Sequence, residues 1–407
     1  MPAHAHLAGR AREEPALEVA GLLRDHLDAV LRAPMSREQH AAVRALLRCR
    51  TAQLGGHLDT CGACGFARPS YNSCRDRHCP KCQGLAQARW VRARMRRVLR
   101  THHFHVVFTL PAELRSLALR NKSVVFELLM KSAADSLLEL GRDPKWLGAP
   151  AQLGITTVLH TWTRELAFHP HVHCIVTGGG LADDGSRWVS APSEFLFPVR
   201  VLGALFRGKV LDGLARARRD GKLRLAAEDE GRAAARRTDA LHRASWIVYA
   251  KRPFGGPEQV YRYLGRYTHR VAISNSRLVS ATDETVTFRT RGDQTAALPP
   301  LVFLSRFLQH VLPHGFVKIR HYGLLASGNV TTRLERARAL LGGGVPDRDD
   351  LTTDQDGDTD QPWPELLAAV ADVDVTLCPS CGAHAVQRGP LPSPHSPAAR
   401  APPEVAA

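Results

Sequence analysis

Between Phe168 and Gly180 the chain reads Phe-His-Pro-His-Val-His-Cys-Ile-Val-Thr-Gly-Gly-Gly, and no other stretch limits the fold as much. Histidines stand at alternate positions, His169, His171 and His173. A strand repeats every two residues, so all three imidazoles would point to one face of a sheet. Imidazoles spaced that way can grip one divalent cation. Pro170 cannot donate to a sheet ladder and marks a strand start or an edge, which makes His169 a weaker ligand than His171 and His173. A Gln, Glu or Asp elsewhere would fill the third place equally well.

The flanking sequence extends this strand into an antiparallel sheet. His103 to Leu110 alternates and is rich in β-branched and aromatic residues, as a buried strand is. A helical region (Glu113 to Leu140) and a second strand (Gly154 to Trp162) precede the histidine strand, and Asp183-Asp184-Gly185 turns the chain back into Arg187 to Ser190. His103-Phe104-His105 repeats the histidine-hydrophobe-histidine pattern, and for these two a core or edge position is the preferred reading. Further on, Val199 to Leu225 has helical spacing, Trp246 to Ala250, Val271 to Ser274, Thr285 to Arg289 and Val317 to His321 read as strands, and Leu301 to Val311 as a helix. Tyr263 and Tyr267 stand at i, i+4 and would share a helical face after Pro257 at the first turn. Gly265 inside that helix costs about 1 kcal/mol relative to Ala. The fold class predicted is α+β, a central antiparallel sheet flanked by helices.

Six cysteines fall into Cys-x-x-Cys pairs. Cys61, Cys64, Cys79 and Cys82 have the spacing of a structural zinc site, a closed shell whose role is folding. Cys74, His78 and His57 are left over as loop residues, or as substitutes for one ligand or members of a second site. Cys378-Pro-Ser-Cys381 has only His384 nearby and reads as an incomplete ribbon. Without a secretory signal, the cysteines are metal ligands rather than a disulfide framework.

A net charge of +16, from 55 Lys plus Arg against 39 Asp plus Glu, points to a polyanionic partner, nucleic acid first. From Gln87 to Arg100 the arginines Arg89, Arg92, Arg96 and Arg100 would line one helical face with no interleaved acid, the pattern of a phosphate contact. No apolar run is long enough to span a bilayer and the start lacks the apolar region of a signal peptide, so no membrane partner and a cytoplasmic location are expected. Three segments follow: residues 1–100 as helical lead-in and zinc-binding domain, 101–341 as the main domain, and 342–407 as an acidic, disordered linker with a Pro/Ala-rich tail.

Phe108-Thr109-Leu110, His171-Val172-His173 and Tyr263-x-x-x-Tyr267, in that order, resemble the three motifs of HUH endonucleases, and most closely those of the two-tyrosine transposases of rolling-circle insertion sequences. Tyr71-Asn-Ser-Cys74-Arg-x-Arg-His78-Cys79-Pro-Lys-Cys82, Leu205-Phe-Arg-Gly-Lys209 and Phe307 to Gly323 extend the resemblance over roughly residues 40 to 330. Thr163-Arg164 departs from the family's Gly-Gln. The resemblance implies a cation, Mg²⁺ or Mn²⁺, at His171 and His173, nucleophilic Tyr263 and Tyr267, and a 5′-phosphotyrosyl intermediate with a free 3′-hydroxyl on single-stranded DNA at insertion-sequence ends. A plasmid replication initiator, a mobilisation relaxase and a non-catalytic zinc-dependent DNA-binding regulator are the rival classes. A tyrosine motif that follows the histidines disfavours the relaxase, and a regulator leaves the histidine strand unexplained.

Overall fold

The computed structural model describes residues 17–226, 239–244, 246–251, 272–342 and 374–391. The chain opens with α1 (Val19–Asp25), α2 (Leu27–Arg32) and α3 (Arg37–Arg48). A capping box starts α3, with Gln39 N–H donating to Ser36 Oγ and Ser36 N–H to Gln39 Oε1. β1 (Gly56–Cys61) and β2 (Ala67–Tyr71) form a hairpin, and α4 (Gly84–Met95) leads to β3 (His103–Thr109). α5 (Arg115–Arg120), α6 (Lys122–Arg142) and α7 (Pro144–Leu147) then cross to β4 (Ala151–Trp162), which returns as β5 (Phe168–Ala182) and β6 (Trp188–Ser190). α8 (Val199–Arg219), β7 (Val248–Lys251), β8 (Leu278–Ala281), β9 (Val286–Arg289), β10 (Thr295–Leu298), α9 (Pro300–Gln309), β11 (Ile319–Gly323), α10 (Arg333–Leu340) and β12 (Val386–Pro390) follow.

The central sheet has the order β11-β4-β5-β3-β7, with β6 also on β5, and its pairings are antiparallel. Side-chain alternation gives it two unlike faces. Phe104, Val106 and Phe108 of β3, Leu159 of β4 and Val172 and Val176 of β5 enter the main core against α6 and α8, where Phe126, Leu129 and Phe206 are buried. A fully buried side chain of this size contributes about 1.5–3 kcal/mol, so this layer fixes the strand register. On the opposite face Val158 and Ile175 form a small cluster under Trp90, Met95, Val98 and Ile319. The histidines lie on that second face. A separate core joins α1 to α3, the β8–β9 hairpin and α9.

This is the expected mixed architecture of a central antiparallel sheet flanked by helices with a cysteine-rich N-terminal region. Three local expectations differ. α4 ends at Met95 rather than Arg100. Ala272–Ser274 is irregular backbone whose apolar residues are buried without a ladder partner, and β11 begins two residues after Val317. Part of the segment read as a tail folds back, because β12 pairs with β1 from His57↔Pro390 to Cys61↔Val386. Residues 343–373 and 392–407, and the tyrosines Tyr263 and Tyr267, lie outside the described residues. Among the described residues no helix is long and apolar enough to cross a membrane.

Candidate metal centres

In the β4–β5 ladder His160 stands opposite His171, and Val158 opposite His173. Opposed residues of an antiparallel pair share a face, so His160, His171 and His173 converge. Their ligand nitrogens lie within 4.8 Å of one another. The ring centroids are 4.3 Å apart for His160 and His173, 4.9 Å for His171 and His173 and 5.4 Å for His160 and His171. His160 is buried, whereas the other two keep part of their surface open. Trp162 stacks on His160 at 4.9 Å.

Hydrogen bonds aim the rings. His171 Nδ1–H donates to the His169 carbonyl at 2.7 Å, which leaves the Nε2 lone pair free for a cation. His173 Nδ1 lies 2.8 Å from His105 Nε2, and with His173 as donor its Nε2 is likewise free. Burial pushes His171 and His105 down to about 4 and holds His160 and His173 well below the usual range. All four are neutral at pH 7, the form that binds metal. The set fits a divalent cation. It contains no carboxylate among the described residues, and three imidazoles suit a transition ion such as Mn²⁺ better than oxygen-seeking Mg²⁺.

His169 does not join this set. Its Nδ1 accepts from Arg115 Nη2 at 3.1 Å. The ladder register shifts between His160↔His171 and Trp162↔Phe168, so His169 and Pro170 together oppose the single residue Thr161. The two-residue alternation continues through this irregularity and the His169 ring stays 5.4 Å from that of His171, but its ring nitrogen is turned to Arg115 and is not among the clustered ligand atoms. His160 is the histidine that clusters with His171 and His173. The signal for it is present in the sequence, since His160 alternates with Val158 and Trp162 on a strand next to the histidine strand. Of the other pair, His103 is a buried core residue bonded to the Thr101 carbonyl, whereas His105 belongs to the centre through His173.

The cysteines form two clusters, not one. Cys49, Cys74, Cys79 and Cys82 make the first, and Cys61, Cys64, Cys378 and Cys381 the second. Cys61 and Cys64 are therefore not in one shell with Cys79 and Cys82, and Cys74 is a cluster member rather than a loop residue. Cys74 Sγ to Cys82 Sγ is 3.7 Å. Tetrahedral zinc with Zn–S of 2.3 Å requires sulfurs about 3.8 Å apart. Four thiols at this spacing inside the cysteine-rich N-terminal region suggest a structural zinc-binding site. His78 stays outside both: its Nδ1 pairs with Asp76 at 2.9 Å and its Nε2 accepts from Leu312 N–H at 3.1 Å. His57 lies 3.9 Å from Asp59.

The early end of α4 also divides the arginine stripe. Arg89 and Arg92 are on the helix, Arg96 is its C-cap, and Arg100 lies beyond it with its Nη1 3.5 Å from the Gly342 carbonyl. Arg94, on the same helix, donates to His321 Nε2 at 2.6 Å, and His321 Nδ1 donates to Thr156 Oγ1 at 3.0 Å, so α4 is pinned to the sheet beside the histidines.

Known proteins are similar to this chain in sequence. Residues 22–110 match the family described as "Transposase zinc-binding domain", and residues 154–333 the family described as "Putative transposase". The chain is 45% identical over 348 residues to the "Putative transposase y4qJ" of Sinorhizobium fredii, covering 83% of this chain and 86% of that one. It is 29% identical over 306 residues, 70% of each chain, to the "Transposase for insertion sequence element IS801" of Pseudomonas savastanoi pv. phaseolicola. No solved structure matches it. With the first cysteine cluster wholly inside the matched zinc-binding region and 45% identity across most of both chains, the protein belongs to the transposase family.

Proposed function

We infer that this transposase is a two-tyrosine HUH enzyme that cleaves and rejoins single-stranded DNA at insertion-sequence ends. The observation that carries the reading is the convergence of His160, His171 and His173 on one sheet face with two of the rings oriented by hydrogen bonds. Those three residues would hold the divalent cation, Mn²⁺ before Mg²⁺, and it would supply Lewis-acid neutralisation of a non-bridging phosphate oxygen.

The chain supplies the rest. Lys251, where β7 ends, is the register partner of His105, and Ala272 and Ile273 are buried in the same apolar cluster that Trp162 borders. The described residues on either side of 252–271 thus border the histidine centre, and with the order of the sequence motifs this supports Tyr263 and Tyr267 as its nucleophiles. A phenol has a pKa of about 10 and needs a site that favours its ionised form. Its oxygen forms the Tyr–O–P bond as the P–O3′ bond breaks, and the phenolic proton ends on the departing 3′ oxygen. The reverse attack by a 3′-hydroxyl restores the phosphodiester and frees the tyrosine. Two nucleophiles allow donor and target strands to be handled in turn. Arg89, Arg92, Arg96 and Arg100 would contact the DNA backbone, and electrostatic contacts of that kind position without reading sequence.

The test is a detergent-stopped reaction on a single-stranded oligonucleotide carrying an end sequence. The expected product is protein joined to DNA through a 5′-phosphate, present with Mn²⁺ and absent with EDTA. The Tyr263→Phe/Tyr267→Phe variant should form none. A full yield of adduct from that double variant would refute the nucleophile assignment, and equal cleavage in EDTA would refute the role of the cation.

A further inference from the structure

The region matched as a zinc-binding domain, residues 22–110, contains six cysteines, and four of them complete the first cluster. Cys61 and Cys64 are left without partners inside that region. We propose that they form a second structural zinc site with Cys378 and Cys381, so that one metal ion clasps the C-terminal segment onto the N-terminal ribbon. This goes beyond the catalytic reading and holds independently of it.

The geometry is that of a thiolate zinc site. Cys61 Sγ is 3.8 Å from Cys381 Sγ, and Cys64 Sγ is 3.7 Å from Cys378 Sγ. Both distances match the ~3.8 Å edge of a ZnS₄ tetrahedron. The two half-sites are built alike. Each is a Cys-x-x-Cys-Gly turn whose glycine has positive φ, 72° at Gly65 and 74° at Gly382. In each the glycine N–H donates to the carbonyl of the first cysteine, at 3.0 Å for Gly65 to Cys61 and 2.9 Å for Gly382 to Cys378. Ser380 N–H also points at Cys378 Sγ at 3.4 Å, a contact that favours the thiolate.

A second observation places the segment there by other means. Asp59 on β1 stands in register with Arg388 on β12 and with Arg68 on β2. It is 3% exposed, and Arg388 grips it with Nε–Oδ1 at 2.8 Å and Nη2–Oδ2 at 3.3 Å. β12 thereby covers the edge of β1 that would otherwise be open. Among residues 374–391 Cys378 is the one buried side chain, so apolar burial contributes little and the metal must supply most of the binding energy.

The experiment measures zinc in the purified full chain by mass spectrometry, with a protease site inserted between residues 343 and 373. Two zinc ions per chain are expected, and one in Cys378→Ser/Cys381→Ser. After proteolysis the wild-type C-terminal fragment should co-elute with the rest, while that of the double variant separates. Cobalt substitution gives a readout independent of elution: thiolate-to-cobalt absorbance should fall by about half in the variant. One zinc in both proteins, or co-elution of the variant fragment, would overturn the clasp. So would a titration of the denatured, metal-stripped chain that finds fewer than the nine thiols of the sequence, because the cysteines would then be oxidised pairs. Absence of any zinc would remove the first cluster's assignment as well.

Discussion

Lys318 lies one residue before β11, with its Nζ buried and without a hydrogen-bond partner among the described residues. Burial, with a smaller contribution from Arg77, pushes its ammonium down from an ordinary 10.5 to about 7. At about 1.4 kcal/mol for each factor of ten, the charged form costs the fold up to ~5 kcal/mol. The folded pKa is depressed. Stability is therefore fully present above 10.5 and is lost as pH falls toward about 7, because the unfolded chain takes up the proton first. Lys318→Met keeps an apolar stem of similar length and removes the ammonium. Allowing for relaxation, the variant should be more stable than wild type by about 2–4 kcal/mol at pH 7. The difference should shrink to roughly 1 kcal/mol at pH 9.5, where little of the unfolded-state preference remains. Urea denaturation at the two pH values measures both quantities. A variant no more stable at pH 7, or a difference that does not change with pH, would refute the buried, unpaired cation.

Two further predictions concern histidines. His160→Ala should weaken Mn²⁺ binding, followed by electron paramagnetic resonance, by at least ~100-fold, whereas His169→Ala should change it less than ~3-fold, since Arg115 holds that ring; the opposite ranking would restore His169 as the ligand. Burial pushes His103 down to about 4 and His310 to about 3. Both are depressed, so the stability they contribute is present above 6.5 and falls by about 1.4 kcal/mol per pH unit for each as the pH drops toward 4. Melting temperatures should therefore decline as the pH drops from about 6.5 to 5, and a flat profile over that window would show that these rings are not neutral and buried.

Much of the sheet is legible because its signal is local. β3 carries a two-residue period through Phe104, Val106 and Phe108, β5 carries one through its histidines, and the main core is what that period buries. The histidine face is legible in the same way, except for its third member. His160 is brought to His171 by strand pairing, and the identity of the third clustered histidine therefore depends on the partner strand and not on the histidine strand itself. The cysteines fail for a different reason. Spacing pairs residues within a knuckle and says nothing about which knuckles meet. Cys79 and Cys82 lie close in sequence to Cys64, yet their partners are Cys49 and Cys74, while the partners of Cys61 and Cys64 are more than three hundred residues away. Chain separation costs little, because the entropy of closing a loop grows only logarithmically with its length.

The first cysteine cluster has a mechanical link to the histidine centre that leads to a last prediction. α4 begins at Gly84, two residues after Cys82, and its Trp90 and Met95 cover Val158 and Ile175 beside the histidines. Between the cysteines, Arg77 donates to the Phe316 and Pro313 carbonyls at 2.5 and 2.8 Å, and His78 accepts from Leu312 N–H. These bonds brace the loop that leads into β11, the strand next to β4. A cluster that lost its metal would release both the start of α4 and this brace, and each borders the face on which His160, His171 and His173 converge. Cys49→Ser should therefore lower zinc content by one ion per chain and also weaken Mn²⁺ binding at the histidines by roughly 10-fold, although Cys49 is no ligand there. Protection of the Val158 and Ile175 amides from hydrogen exchange should fall in the same variant. If zinc is lost while Mn²⁺ affinity and those amides are unchanged, the two centres are independent, and the cluster serves only its own ribbon.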